Sequence, residues 1–378
     1  MANGRLGPDD YPNVNFGGSV QTWGLCKELA KRGNDVCIIR RSISEKEETV
    51  EKVRLIGVRF WGLENVLPIG GLFFHVFLFF SKFFFSLKSR SIIQRIDPDV
   101  ICFMDRQTAT FATTSNAKKL FVIHSPEAMD FVKPYEIKNS KLNIVLFRIN
   151  KILQDRIIRK SDYIVVLNTQ VEAYLRKKGL SRVAKISNAI SLDEASSEVD
   201  DGFILYAGRF DWNKNVYSLA KSFSEIHCNL GNQNLYLVGE GVEKEKIRQL
   251  IDENGLQSRM TILPWVCRKR LLLLMRKCSF LVLPSFFEAG GPPVVVLEAM
   301  ASGKPVIARA NMGTIDIIVH GKNGYLYKND AELKGYMEKL FSSSCLRKTI
   351  GLNARNTVET SYTFSKIADK YEELFLKL

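Results

Sequence analysis

Short continuous apolar runs, separated by longer amphipathic stretches, dominate the hydrophobic pattern of this chain. Such runs are typical of parallel strands covered by helices on both faces. The first group comprises residues 36–39, 99–103, 120–123 and 163–167. A second group comprises residues 203–206, 235–238, 260–263, 280–283 and 305–308. The pattern predicts an α/β protein with two parallel, Rossmann-like sheets.

A polar stretch at 191–201 separates the two groups of runs. A chain of 378 residues is long enough for two hydrophobic cores. We therefore predict an N-terminal domain of residues 1–195 and a second domain of residues 196–355.

The N-terminal domain begins unusually. Gly17-Gly18 predicts a glycine turn, followed by a helix and then the apolar run at 36–39. A strand should precede such a turn in a doubly wound domain, yet Met1–Phe16 contains no apolar run. We therefore expect the first strand to be missing. Two explanations remain open: the start site is set too far downstream, or the domain itself has lost this strand. The same polar segment gives no sign of a secretory signal.

Charge narrows the choice of partners. The formal net charge of +14 favours anionic ligands such as phosphates, nucleotides, acidic glycans or anionic lipid. Nucleic acid is not expected, because the chain has neither zinc-finger spacing nor an aromatic RNA-binding signature. Seven scattered cysteines without a C-x-x-C pair predict reduced, buried thiols and a cytoplasmic location.

One phenylalanine-rich run, residues 72–87, allows two interpretations. It is shorter than the roughly 20 apolar residues that span a bilayer. It predicts either a buried helix or a helix at a membrane surface, with Lys82, Lys88 and Arg90 toward lipid phosphates. The second interpretation predicts a contact with an anionic membrane through residues 72–90 and a peripheral location at its inner face.

Ligands of open parallel sheets bind beyond the carboxyl ends of the strands. The run at 203–206 is followed by a loop that carries Arg209 and Lys214. Two cations in one loop suit a diphosphate and could neutralise charge on a departing phosphate. The alternative is an ordinary solvated basic loop.

A second loop, after the run at 280–283, combines glycines with a carboxylate. Gly290 and Gly291 allow a close backbone approach to a ligand, and the adjoining prolines suit the start of a helix. Glu288 lies before the turn and Glu298 within the helix, and both can accept hydrogen bonds from sugar hydroxyls. A carboxylate pair alone is weak evidence.

Two further candidates lie in the N-terminal domain. His124 follows the run at 120–123, where an imidazole can donate to a substrate hydroxyl or carbonyl. The alternative role is a structural cap of the next turn. The amides of Gly17 and Gly18 could face the same ligand, or the pair could be a plain tight turn.

Taken in order, these motifs resemble the retaining glycosyltransferase family four of GT-B fold, from about Phe16 to the C-terminus. The resembling positions are Gly17-Gly18, Lys31-Arg32-Gly33, His124, Asn188, Gly208-Arg209, Lys214, Gly239-Glu240-Gly241, Glu288, Glu298–Val306, Gly321–Gly324 and Tyr362–Phe364. The resemblance implies two Rossmann-like domains whose parallel sheets face each other across a cleft. The closing segment, residues 356–378, is expected to form a helix that packs back toward the N-terminal domain.

The resemblance also implies roles. Arg209 and Lys214 would bind the donor diphosphate, Glu298 the ribose, and Glu288 with Gly290 and Gly291 the sugar hydroxyls. His124 would lie near the reacting carbon, and Gly17 and Gly18 would help to bind the donor. Members of the family retain the anomeric configuration and need no metal, so no cofactor is expected and Asp97-Pro98-Asp99 is not a metal site.

Three features depart from the family pattern. Glu288 and Glu298 are ten positions apart where the family usually has eight, and Asn215 replaces the usual glycine after the lysine. A later loop has Gly313-Thr314 and Asp316 where two glycines and a glutamate are common.

The hypothesis is a metal-independent retaining glycosyltransferase that acts on a glycan or lipid-linked acceptor. A non-catalytic nucleotide-sugar or lipid-phosphate binding protein and a nucleotide-sugar epimerase remain alternatives.

Overall fold

The computed structural model describes residues 17–42, 44–59, 84–85, 87–104, 115–124, 152, 155–192, 201–288 and 290–378. The chain forms two compact units. The first contains Met1–Ile186 and Ala368–Leu378, and the second contains Ser187–Ile367. The domain limits expected at residues 195 and 355 stay predictions.

The first unit contains two sheets. Its labelled elements are α1 (Gly17–Lys31), β1 (Val36–Ser42), β2 (Lys46–Val50), β3 (Val53–Arg59), β4 (Val100–Phe103), β5 (Lys118–Ile123), β6 (Tyr163–Val166), α2 (Thr169–Lys177) and β7 (Val183–Lys185). Further helical segments cover residues 87–96 and 155–160. One sheet has the order β1-β3-β2 and the other the order β4-β5-β6-β7. The four apolar runs of the first group are confirmed as strands.

Helix α2 shows how local sequence defines these elements. The side chain of Asn168 accepts a hydrogen bond from the amide of Val171 at 2.9 Å, which caps the helix. Glu172 lies in the first turn, and Arg176 and Lys177 lie in the last turn, so both ends complement the helix dipole.

The hairpin β2–β3 was not predicted. Strand β3 pairs in parallel with β1 and antiparallel with β2. Glu51 and Lys52 join the two strands with φ values of 49° and 66°, which two-residue hairpin turns require. Asn and Gly usually fill such positions, so a Glu-Lys turn gave no signal in the sequence.

The start of the first unit differs from the expected turn, because Gly17 and Gly18 form the first residues of α1. Among the described residues, no strand precedes α1, and β1 and β4 are edge strands of their sheets. The missing first strand stays a prediction, because residues 1–16 lie outside the described residues.

An ion cluster connects α1 to the C-terminal segment of the same unit. Arg32 donates from Nη1 to the carboxylates of Asp369 and Glu372, both at 2.7 Å. Asn34 donates to the other oxygen of Glu372 at 2.9 Å. Arg32 and Asn34 together lower the pKa of Glu372. The described contacts thus attach residues 368–378 to the first unit.

The second unit has a single parallel sheet. Its labelled elements are β8 (Phe203–Ala207), α3 (Val216–Ile226), β9 (Asn234–Val238), α4 (Lys244–Glu253), β10 (Met260–Leu263), α5 (Arg268–Lys277), β11 (Phe280–Leu283), α6 (Val294–Ala301), β12 (Val306–Arg309), β13 (Tyr325–Tyr327), α7 (Asp330–Ser342) and α8 (Ser344–Ser361). The last helix, α9 (Phe364–Phe375), begins in this unit, and its residues from Ala368 onward belong to the first unit. The strand order is β10-β9-β8-β11-β12-β13. The five predicted strands of this group are confirmed, and β13 was missed.

Buried strands explain why periodicity identified this sheet. Every residue of β8 and β11 is buried, because helices cover both faces of the sheet. Two hydrophobic clusters contain these side chains together with residues of the flanking helices. The order brings the carboxyl ends of β8, β11, β12 and β13 side by side, and the candidate residues follow these ends.

The seven cysteines are all free, and the expectation that they are buried is wrong for Cys228, Cys267 and Cys345, which are exposed. Cys278 is buried, and desolvation by the surrounding protein raises the pKa of Cys26 and of Cys102 to about 12. The number and spacing of cysteines predict that they form no disulfide bonds, but they do not predict whether each side chain is buried.

Candidate active site

The loop after β8 carries the two predicted cations. Arg209 is 65% exposed, and its Nη2 lies 3.2 Å from Oδ2 of Asp211. The other carboxylate oxygen of Asp211 accepts the amide of Lys214 at 3.0 Å. Beneath the loop, the hydroxyl of buried Tyr206 donates to the carbonyl of Arg209 at 2.7 Å. The loop is therefore held from below while its arginine extends into solvent.

Asn215 explains one departure from the family pattern. It precedes α3 with φ 53° and ψ 36°, the left-handed conformation. Glycine adopts this conformation most readily, and asparagine is among the few other residues that tolerate it. The replacement of the usual glycine thus preserves the backbone conformation.

Lys214 and Glu288 lie together at the edge of the sheet. Nζ of Lys214 is 2.5 Å from Oε1 of Glu288, and both side chains are largely buried. Backbone contacts join their loops, since the amide of Phe286 donates to the carbonyl of Asn213 at 2.8 Å. The structure therefore brings a predicted cation and a predicted carboxylate into one site.

The glycine loop after Glu288 is closely packed. Gly291 has φ 82°, a conformation that favours glycine. Asn188 donates to the carbonyls of Gly290 and Pro292, at 3.3 and 2.9 Å. Gly313 lies so close that a Cβ atom there would be 2.5 Å from the carbonyl oxygen of Gly291. The loop is thus fixed by contacts from two other segments.

The start of α6 differs slightly from expectation. The helix begins at Val294, and Pro293 is the N-cap rather than the first helical residue. Glu298 lies in the next turn with only 4% of its side chain exposed.

Arg268 compensates the charge of Glu298, and sequence reasoning missed it. The guanidinium of Arg268 donates to the carboxylate of Glu298. Arg268 is the first residue of α5 and follows β10, at the carboxyl edge of the sheet. Inspection of the residues after β10, as after the other strands, would have identified it.

Four planar groups form a row along the same edge. The rings of Trp212 and Phe286 are 6.5 Å apart with an interplanar angle of 28°. The guanidinium carbon of Arg309 lies 4.7 Å from the ring of Phe286 and 5.8 Å from the ring of Tyr327. These residues come from β8, β11, β12 and β13 or the loops after them, in the order of the sheet. We call this row the planar stack; it joins the loops that carry Lys214 and Glu288.

His124 belongs to the first unit, directly after β5. Its Nε2 lies 3.3 Å from the sulfur of Met104, and desolvation by the surrounding protein lowers the pKa of His124. The imidazole is therefore held neutral more strongly than in water. Gly17 and Gly18 also belong to this unit, so their expected place at the donor stays a prediction.

The lowered pKa of His124 predicts a dependence of stability on pH. Below the ordinary value of 6.5, the unfolded chain binds a proton that the folded protein resists. Stability should therefore fall as the pH drops below 6.5, and His124→Gln should reduce that fall. The melting temperature measured across this pH range tests the expectation.

His227→Gln provides the control for this measurement, because His227 lies in the second unit beside the carbonyl of Ser224. An equal change of slope in both variants would contradict the assignment to His124.

The described residues contain neither a cluster of metal ligands nor a membrane-spanning helix. Within those ranges, no group of three or more His, Cys, Asp or Glu side chains could hold a metal ion. No helix of the described residues combines the length and apolarity needed to cross a bilayer. The membrane contact expected at residues 72–90 falls mostly on residues 72–83, which lie outside the described residues.

The fold matches solved structures of glycosyltransferases. The chain superimposes on sucrose-phosphate synthase from Thermosynechococcus elongatus with a TM-score of 0.83, 21% identity and coverage of 99% of this chain and 97% of the other. Anabaena HepE in complex with UDP-glucose gives a TM-score of 0.70 with 16% identity, covering 100% and 98% of the two chains. The GT-B class of α/β fold predicted from the sequence is confirmed.

Family models identify the chain more closely. The model described as glycosyl transferases group 1 matches residues 190–357, and the model described as glycosyltransferase family 4 matches residues 17–194. The chain belongs to this glycosyltransferase family, which confirms the resemblance found in the motifs.

Among curated relatives, an uncharacterized glycosyltransferase of Methanocaldococcus jannaschii, MJ1178, is 32% identical over 244 residues. The matched stretch covers 63% of this chain, and the chain spans 65% of the length of that relative.

Proposed function

We propose that this protein is a retaining, metal-independent glycosyltransferase that moves a sugar from a nucleotide-sugar donor to a glycan or lipid-linked acceptor. The second unit binds the donor, and the first unit binds the acceptor. Family membership supports the reaction class, and the residues at the edge of the second sheet support the donor site.

The observation that carries the proposal is the contact of Lys214 with Glu288, on the loops after β8 and β11, with Arg209 exposed on the same loop as Lys214. These strands are neighbours, so their loops converge. Arg209 presents a largely exposed guanidinium, whose planar set of donors matches phosphate oxygens. Lys214 adds a second positive charge within the same loop. Two cations at one sheet edge suit a diphosphate better than a neutral ligand.

The neighbouring residues suit the rest of the donor. Glu288, Gly290 and Gly291 provide a carboxylate and backbone groups for sugar hydroxyls. Glu298, held by Arg268, is assigned to the ribose. His124 is assigned to the reacting carbon, where its neutral imidazole can exchange a hydrogen bond with the substrate.

The proposed reaction proceeds on one face of the sugar. The acceptor oxygen forms a bond to the anomeric carbon while the bond from that carbon to the diphosphate oxygen breaks. The bonding electrons remain on the leaving diphosphate, which takes the acceptor proton. Arg209 and Lys214 stabilise the negative charge that grows there.

Donor binding is the first test of this function. UDP-glucose, the ligand bound by HepE, is tried first, followed by other UDP-, GDP- and ADP-sugars. A donor at about 100 times its dissociation constant should stabilise the protein by roughly 2.7 kcal/mol. Thermal shift measures binding, and release of free sugar in the absence of acceptor measures turnover. Free glucose, which lacks the diphosphate, is the control and should give no shift.

The two measurements also separate the alternatives. A shift accompanied by slow sugar release supports the transferase. A shift without turnover, tested with glycan and lipid-linked acceptors, identifies a non-catalytic binding protein. Conversion of the donor sugar without an acceptor identifies an epimerase, and no shift with any donor contradicts the proposal.

A further inference from the structure

Helix α5 exposes an unusual surface on the second unit. Its inner side buries Leu272 and Met275 within the core. Its outer side exposes Lys269, Arg270 and Leu273. Leu273 lies four positions after Lys269 and three after Arg270, so its side chain is a neighbour of both cations on the helix surface. We call them, together with Trp265, the α5 face.

The charge of this region has one sign. Residues 254–287 contain six lysines and arginines and no aspartate or glutamate. Arg268 pairs with Glu298 and Lys277 pairs with Asp201, so acidic partners from outside the segment compensate these two. Lys269 and Arg270 form no ion pair with any residue in the described ranges, and they present their charge to solvent.

Large apolar side chains accompany these cations. Leu273 is 42% exposed and Trp265 is 48% exposed. Trp265 precedes Lys269 by four residues, a distance of at most about 14 Å along the chain. Tryptophan is favoured where one side of the ring meets apolar groups and the other meets water. Exposed apolar groups of this size cost solvation free energy unless a partner covers them.

Together, these features distinguish between classes of anionic partner. A nucleic acid or an acidic glycan offers charge to Lys269 and Arg270, but it does not solvate a leucine. A bilayer with anionic headgroups offers phosphates to the cations and the acyl boundary to Leu273 and Trp265. The α5 face therefore fits a lipid surface better than a polyanion in water.

We propose that the α5 face is a docking surface for an anionic phospholipid bilayer. Lys269 and Arg270 contact headgroup phosphates, and Leu273 and Trp265 insert at the headgroup level. The surface belongs to the second unit, so it is separate from the contact expected at residues 72–90. It does not depend on the transfer reaction.

The test uses the full chain and vesicles of phosphatidylcholine mixed with phosphatidylglycerol in equal parts. The wild type should cosediment with these vesicles and much less with pure phosphatidylcholine. Each basic residue near a charged bilayer contributes about fivefold in affinity, so Lys269→Glu with Arg270→Glu should weaken binding at least about 25-fold. Leu273→Ser should also weaken vesicle binding. It should change the salt dependence of that binding less than the double charge variant does.

Helix α8 provides a matched control. Lys348 and Leu352 are exposed and four positions apart, as are Lys269 and Leu273. Lys348→Glu with Leu352→Ser changes the same residue types as Lys269→Glu with Leu273→Ser. Only the variant of α5 should lose vesicle binding. All variants should keep the circular dichroism spectrum and melting temperature of the wild type.

Fluorescence gives an independent readout. Vesicles should shift the emission of the wild type to shorter wavelength, and Trp265→Phe should remove most of the shift. Wild-type vesicle binding by the double charge variant would overturn the proposal. Equal losses of vesicle binding in the α5 and α8 variants would also overturn it. So would binding of poly(U), but not of vesicles, through Lys269 and Arg270.

Failure of this proposal is distinguishable from failure of the proposed function. The variants Lys269→Glu and Arg270→Glu should keep the thermal shift given by the nucleotide-sugar. If the wild type binds the donor but not vesicles, the proposal for the α5 face is contradicted and the proposed function is not.

Discussion

Replacing Lys214 with alanine is expected to slow donor hydrolysis by about 100- to 1,000-fold, the usual cost of losing an electrostatic donor at a departing anion. The ammonium group is held 2.5 Å from Glu288, so it is already positioned before the donor binds. Steady-state rates of sugar release from the donor identified by thermal shift measure the effect. The loss should appear mainly in kcat, because the charge on the diphosphate grows in the transition state.

Lys334→Ala is the control for Lys214→Ala. Lys334 also forms an ion pair with a glutamate, since its Nζ lies 2.8 Å from Oε2 of Glu225. This pair joins α7 to α3 and contributes little, because exposed ion pairs are weak. Lys334→Ala should keep wild-type turnover. A wild-type rate in Lys214→Ala would remove the lysine from the proposed mechanism.

A second large effect is expected at Gly351, in the interior of α8. A methyl group there would overlap the carbonyl oxygen of Gly303, which follows α6. Gly351→Ala should therefore separate the two helices and destabilise the second unit by about 1–3 kcal/mol. Urea unfolding, followed by circular dichroism, measures the change.

Gly335→Ala provides the opposite case. Gly335 lies within α7, and no described atom comes within 4 Å of a Cβ placed there. Alanine forms helices better than glycine, so this variant should gain about 0.5–1 kcal/mol. Destabilisation by both variants would contradict this account, because the close contact with Gly303 exists only at Gly351.

The sequence predicts the strands best where they are buried on both faces. The run at 203–206 is continuous and apolar because β8 lies in the middle of a covered sheet. Strand β2 was missed, because it is polar and exposed in large part. Strand β13 has only three residues, too few for a periodicity to show.

The candidate site was predictable where a residue directly follows a strand. Arg209, Lys214 and Glu288 were found in this way, and the structure joins the last two. Their partners were not predictable, because a contact such as that of Arg268 with Glu298 depends on how helices pack across 30 residues of chain. The roles of these residues in binding and catalysis stay predictions.

The planar stack has a consequence for how this protein changes in evolution. Trp212, Phe286, Arg309 and Tyr327 come from four separate places in the sequence, and each planar group rests against its neighbour in the row. A smaller side chain at one position would leave a gap that only an altered neighbour can fill. Substitutions at these four positions are therefore expected to covary among relatives, so that the row changes as a set.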